Sequence, residues 1–193
     1  PFSKDRDGFV IAEGAATLVL ESLEAAVARG AKVLGIMKGA GDKADSFHRT
    51  RSSPDGGPAI ATIRAALADA GIDESGIGYI NAHGTSTPEN DKMEYGAMSA
   101  VFGERLVGIP VSSNKSMIGH TLTAAGAVEA VFSLQTMLTG TLPPTINYTN
   151  PDPSIVLDVV PNKKREAQVS AVLSNSFGFG GQNASLVMAL EPA

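Results

Sequence analysis

Apolar and polar positions change period along the chain, and the changes mark an order of helices and strands. Ile60, Ile63, Leu67 and Ala70 recur at helical spacing behind Pro58, and Gly71 follows where a helix would end. Ser22 is placed to cap a second helix running through Arg29, with Gly30 closing it. Pro88 suits the first turn of a third, running to about Phe102. A fourth, 121–138, is rich in small residues, and its Leu122, Ala125, Val128, Phe132 and Leu138 are apolar on several faces, which predicts burial. Short apolar runs predict strands at 16–20, 33–37, 77–82, 109–112, 156–160, 167–174 and 184–190. The polar segment 42–57 reads as a loop. Strands alternating with helices define an α/β chain, and no repeat, low-complexity tract or long linker divides residues 1–193, so one domain is expected.

Composition narrows the chemistry. At 193 residues and 43% apolar the chain can bury a sizeable core, and its net charge of −5 with no basic run leaves no nucleic-acid footprint. Its apolar stretches are interrupted too often to span a membrane. Cysteine is absent, which removes disulfides, thiolate metal sites and any cysteine nucleophile from this chain. It opens on Pro1 with no signal-peptide pattern and reads as a piece of something longer.

Three constellations could carry chemistry. Between Leu106 and Pro151 the only formal charges are Lys115 and Glu129, with His120 between them. An isolated buried charge costs several kcal/mol, so the two are expected to meet inside the fold, either as a structural ion pair or as part of a site. His83 and His120 each follow a short strand and can open on one sheet edge, where two imidazoles would donate to an oxygen that gains charge. His48 is the remaining histidine, too little for a zinc site without cysteine. Asp91 and Glu94, three apart on one helix face, could form an acid pair, but carboxylates at a helix start more simply favour the dipole. The third constellation, Phe177-Gly178-Phe179-Gly180-Gly181, lacks the Lys-Ser/Thr of a phosphate loop and precedes a strand. It is either a turn with two core aromatics or a turn that aims backbone N–H groups at a ligand.

His83-Gly84-Thr85-Ser86-Thr87-Pro88, Asn114-Lys115-Ser116-Met117-Ile118-Gly119-His120 and Asn175-Ser176-Phe177-Gly178-Phe179-Gly180-Gly181, in that order, closely resemble the β-ketoacyl-acyl-carrier-protein synthases of type II fatty-acid synthesis. The likeness extends through Lys4-Asp5-Arg6-Asp7-Gly8-Phe9, the Asp45-Ser46-Phe47-His48-Arg49-Thr50 loop and Pro143-Pro144-Thr145-Ile146-Asn147, and so covers essentially the whole chain.

The resemblance implies the thiolase-like fold, two similar α/β halves each with a mixed five-stranded sheet between layered helices, this chain being the C-terminal half. It implies decarboxylative Claisen condensation with malonyl-carrier protein in the cytoplasm, with the cysteine nucleophile upstream of Pro1. His83 and His120 would bind the malonyl thioester carbonyl, held by Lys115 and Glu129 with support from Asp91 and Glu94. Phe179 would gate the pocket and lend its N–H to an oxyanion hole, and Phe177 would line it. Thr85 and Thr87, with Thr50 nearby, would bind the phosphopantetheine arm. No organic or redox cofactor is implied, and a structural monovalent cation near Asn81, Glu129, Ser174 and Asn175 occurs in some relatives. Implied partners are acyl carrier protein, the N-terminal half and, at full length, a second copy; no nucleic acid or membrane is implied.

Gln182, where threonine is common, and Glu89-Asn90 after Thr87-Pro88 depart from the family pattern and leave fatty-acid, nodulation and polyketide subfamilies open. A non-catalytic chain-length factor is the rival reading. A thiolase is disfavoured because that family typically uses a cysteine in this half.

Overall fold

Capping and periodicity decide the helices. The Ser22 hydroxyl accepts the Ala25 N–H at 3.2 Å at the start of α1 (Leu23–Ala28). Gly71 takes the left-handed φ of +64° that ends α2 (Gly57–Ala70). Pro88 opens α3 (Pro88–Phe102) behind Thr87, whose hydroxyl accepts the Asn90 N–H at 3.3 Å. A single turn, α4 (Lys115–Ile118), and the long α5 (Ala125–Thr139) follow. This computed structural model describes residues 1–190.

The strands are β1 (Ile36–Ala44), β2 (Tyr79–Asn81), β3 (Pro110–Ser112), β4 (Thr141–Leu142), β5 (Asp158–Val159), β6 (Arg165–Glu166), β7 (Ala171–Phe177) and β8 (Gln182–Ala189). Six form one mixed sheet in the order β1-β8-β7-β2-β3-β5, one strand more than the five expected, and β4 pairs with β6 in a separate ribbon. β1, β8 and β7 run antiparallel; β7, β2, β3 and β5 run parallel.

Alternation along β7 builds two cores. Ala171, Leu173 and Phe177 face α2 and α3 with Ile63, Leu67 and Met98, while Val172 faces α5 with Ala130 and Met137. Helix, sheet and helix therefore form three layers. The α2 layer sits directly on β1: a Cβ on Gly39 would fall 2.4 Å from Ala70 N, and one on Gly41 2.2 Å from Thr62 O. Among the described residues no helix is long and apolar enough to cross a membrane.

Several boundaries differ from the sequence expectation for physical reasons. The strand expected at 16–20 does not form; Val19 and Leu20 are 84% and 69% exposed, and among the described residues no segment pairs with them. β1 runs into the polar segment because β8 pairs with it out to Ala44 and Gln182. β7 and β8 likewise extend into the glycine-rich turn, joined out to Phe177 and Asn183. α5 starts at Ala125, after a short 3-10 turn at Leu122–Ala124, and buries Glu129, Ala130, Ser133, Thr136 and Met137 on one side instead of being enclosed all round; Leu138 stays 42% exposed.

Candidate active site

The site lies at the carboxyl ends of β2 and β3, where a parallel sheet leaves loops free to converge. His83 follows β2, and His120 follows the turn of α4. Their rings stand 5.5 Å apart at 84°. Phe177, from the end of β7, packs edge-on to His83 at 5.9 Å, and Phe9 packs against His120 at 5.0 Å. The sheet edge thus brings together both histidines, as the order of the loops predicts.

Each ring has its Nδ1 occupied by a donor. Lys115 Nζ lies 3.2 Å from His83 Nδ1, and the Leu122 N–H donates to His120 Nδ1 at 3.1 Å. A nitrogen that accepts cannot carry the proton, so both imidazoles hold their proton on Nε2. Burial, with the Lys115 charge adding to it, pushes His83 well below its usual range and brings His120 down to about 4. Both are neutral donors at physiological pH.

Lys115 spends its remaining donors on the His83 carbonyl, at 2.7 Å, and on Glu129. The ammonium and the carboxylate are 3% and 1% exposed, so the two lone charges do meet in the interior. Burial raises Glu129, opposed by Lys115.

Two carboxylates on α3 shape the His83 loop. Glu94 accepts the N–H of His83 and of Gly84, each at 2.8 Å, and Asn175 Nδ2 reaches it at 3.3 Å. Burial lifts Glu94 to about 7 against those N–H bonds, and it lifts Asp91 as well. Asp91 accepts the Ser86 N–H at 3.1 Å. Gly84 has a φ of +43°, and a Cβ there would sit 2.5 Å from the Ser113 Cβ; the Ser113 hydroxyl donates to the Gly84 carbonyl at 2.7 Å. The Thr85 and Thr87 hydroxyls lie 2.8 Å apart beyond it.

Phe179 and Thr50 are less enclosed. Phe179 is 65% exposed at the β7–β8 turn, and Thr50 is exposed in the loop after β1. Backbone bonds tie these two loops: Gly180 N–H to the Arg49 carbonyl and Asp45 N–H to the Gly181 carbonyl, both at 2.7 Å. Asp45 closes its own loop on the N–H groups of Phe47 and Ser53. Ser113, Phe9 and the Leu122 N–H carry no role that the sequence alone reveals; only the last leaves a local signal, a histidine two residues before a backbone donor.

Asn81 Oδ1 and Glu129 Oε2 are buried without a hydrogen-bond partner among the described residues, and oxygen atoms of this kind suit a hard monovalent cation. Ser174 and Asn175, the other residues implied for such an ion, are buried too. Among the described residues no group of three or more His, Cys, Asp or Glu side chains could hold a metal.

Fold and site together define an α/β protein that sets two imidazoles side by side, each anchored through its Nδ1, at the carboxyl ends of its parallel strands. Residues 34–149 match the family described as beta-ketoacyl synthase, C-terminal domain. The chain belongs to that family. It is 50% identical over 96% of its length to 3-oxoacyl-[acyl-carrier-protein] synthase 2 of Synechocystis sp., and 47% identical over 97% to the synthase of the same name in Coxiella burnetii. It spans about 45% of the length of each of these relatives. A beta-ketoacyl synthase from Burkholderia phymatum superposes with a TM-score of 0.93 at 43% identity, covering 99% of this chain and 46% of that one. A chain from a structure of a type II PKS acyl-carrier protein in complex with its ketosynthase, bound to the hexaketide, gives 0.96 at 42%, covering 99% and 47%. The fold is thiolase-like, as the resemblance implied.

Proposed function

We propose that residues 1–193 are the C-terminal half of a 3-oxoacyl-[acyl-carrier-protein] synthase that elongates acyl chains in fatty-acid synthesis. The observation that carries this is the pair of Nδ1-anchored histidines, 5.5 Å apart and both neutral. Their two Nε2–H groups would donate to the thioester carbonyl oxygen of malonyl-carrier protein. When the bond from the malonyl α-carbon to its carboxylate breaks, carbon dioxide leaves and its electron pair becomes the enolate, whose negative oxygen takes both hydrogen bonds. The enolate carbon then attacks the acyl thioester on a cysteine of the N-terminal half. The cysteine sulfur leaves as thiolate, and the carrier keeps a 3-oxoacyl chain two carbons longer.

The other residues act around this step. Lys115, held by Glu129, fixes the His83 ring, and burial together with the Lys115 charge keeps that ring neutral. Asp91 and Glu94 hold the loop. Thr85 and Thr87, with Thr50 at the rim, take hydrogen bonds from the phosphopantetheine arm, Phe177 walls the pocket, and the exposed Phe179 closes over it while its N–H joins the cysteine N–H around the acyl oxyanion. A structural cation, where bound, would be held by Asn81 and Glu129 with Ser174 and Asn175, and would supply charge balance to that buried carboxylate.

The partners we propose are acyl carrier protein, the N-terminal half and a second copy of the full-length enzyme. The experiment is to incubate that enzyme with an acyl-carrier and malonyl-carrier protein and to weigh the carrier product. A 3-oxoacyl product two carbons longer supports the reading; a folded enzyme that neither carries an acyl-cysteine nor condenses replaces it with the chain-length factor.

A further inference from the structure

Arg6 sits in what the sequence presents as a charged turn, yet its side chain is only 6% exposed. Nη1 donates to the Ser3 carbonyl and to Asp152 Oδ2, both at 2.6 Å, Nη2 reaches the Pro88 carbonyl at 3.5 Å, and Nε lies 3.6 Å from Asp91 Oδ2. The same Asp91 oxygen accepts the Phe2 N–H at 2.7 Å. Asp91 Oδ1, on its other side, accepts the Ser86 N–H, and the Gly8 N–H donates to the Ser86 carbonyl at 2.9 Å. Both backbone polar groups of Ser86 are therefore held from residues 2–8, one directly and one through Asp91.

Ser86 needs that hold. Its φ is +68°, a left-handed conformation that a residue with a Cβ adopts at a cost and keeps only when its surroundings enforce it. It also separates Thr85 from Thr87, so its conformation sets the distance between their hydroxyls. The two α3 carboxylates divide the loop between them. Glu94 anchors the His83 and Gly84 end with no contact to Arg6, and Asp91 anchors the threonine end with Arg6 and the Phe2 N–H behind it.

We infer that Arg6 is a positioning residue for the carrier arm, acting through Asp91 and Ser86 on the Thr85–Thr87 pair. This rests on the reading of the chain as a condensing-enzyme half. Arm contacts made equally in the ground and transition states set KM, whereas the histidine end sets kcat, so the two parameters separate the roles.

The test is steady-state decarboxylation of malonyl-carrier protein by the full-length enzyme, with Arg6→Gln, Arg6→Lys and Asp152→Asn variants beside it. Arg6→Gln should raise KM about ten-fold with kcat within about two-fold of the parent, and Arg6→Lys should recover part of the loss. Asp152→Asn, which removes one arm of the clamp, should raise KM in the same direction by less. A folded Arg6→Gln enzyme with unchanged KM, or one that loses kcat alone, overturns the inference. Where Arg6→Gln does not fold, Asp152→Asn decides, and an unchanged KM there overturns it. A parent enzyme without decarboxylation would instead strike the proposed function itself.

Discussion

Lys115 and Glu129, fourteen positions apart in sequence, join as a buried ion pair directly beneath His83. Removing one partner leaves the other charged and dry. Lys115→Met should therefore cost about 3–5 kcal/mol by urea unfolding, and the double variant Lys115→Met/Glu129→Leu should recover most of that loss. A single variant as costly as the double one would show that the two charges do not compensate each other.

That pair was legible in the sequence because two lone charges in an apolar stretch have few places to go. α2 and α3 were legible for a similar reason: Pro58 with Gly71, and Pro88 behind Thr87, mark helix ends whatever the tertiary context. The strand expected at 16–20 was not, since a ladder needs a partner that local pattern cannot supply. Arg6 was hidden differently. Lys4, Asp5 and Asp7 surround it in sequence, and its burial depends on Asp152, 146 positions away. His83 and His120 could be placed on one edge by loop order, but their tautomers depend on Lys115 and the Leu122 N–H, which only the fold brings to them.

Glu94 gives the protein an unusual dependence on pH. Its folded pKa is raised from 4.5 to about 7, so between those values the native state keeps a proton that the unfolded chain has lost, and its contribution to stability falls as pH rises. The histidines act with the opposite sign. Both are depressed from 6.5, His120 to about 4, so the unfolded chain takes up their protons first and their contribution is lost as pH falls below 6.5. Relative to Glu94→Gln, the wild type should lose up to about 3 kcal/mol between pH 4.5 and 7, and denaturant midpoints across that range would show it. A constant difference between the two proteins would place the Glu94 pKa in its ordinary range.

Gly181 fixes the approach of two loops. With φ at +80° and a would-be Cβ 1.8 Å from the Asp45 carbonyl oxygen, no side chain fits without separating the Phe179 turn from the loop that carries Thr50. Gly181→Ala should destabilise by about 1–3 kcal/mol from backbone strain alone. It should also slow acyl transfer more than decarboxylation of malonyl-carrier protein, because the histidine loop is anchored elsewhere. Equal effects on the two half-reactions would detach this turn from the acyl side.

Val10, Ile11, Val19, Leu20 and Val27 are each more than 60% exposed along the first part of the chain. Exposed apolar side chains in this number suit burial against a partner, and the N-terminal half is their proposed cover. Produced alone, residues 1–193 should bind a hydrophobic dye and self-associate, and co-expression with the N-terminal half should suppress both. A monomeric chain that ignores the dye would indicate that the segment folds back on itself in solution.

The most direct measurement is the rate of malonyl-carrier-protein decarboxylation by the full-length enzyme and by its His83→Ala and His120→Ala variants. Each imidazole is assigned one hydrogen bond to the enolate oxygen, so each variant should lose about 100-fold or more in kcat while still loading its cysteine with an acyl chain. Decarboxylation within a few-fold of the parent in both folded variants would contradict the two-histidine site.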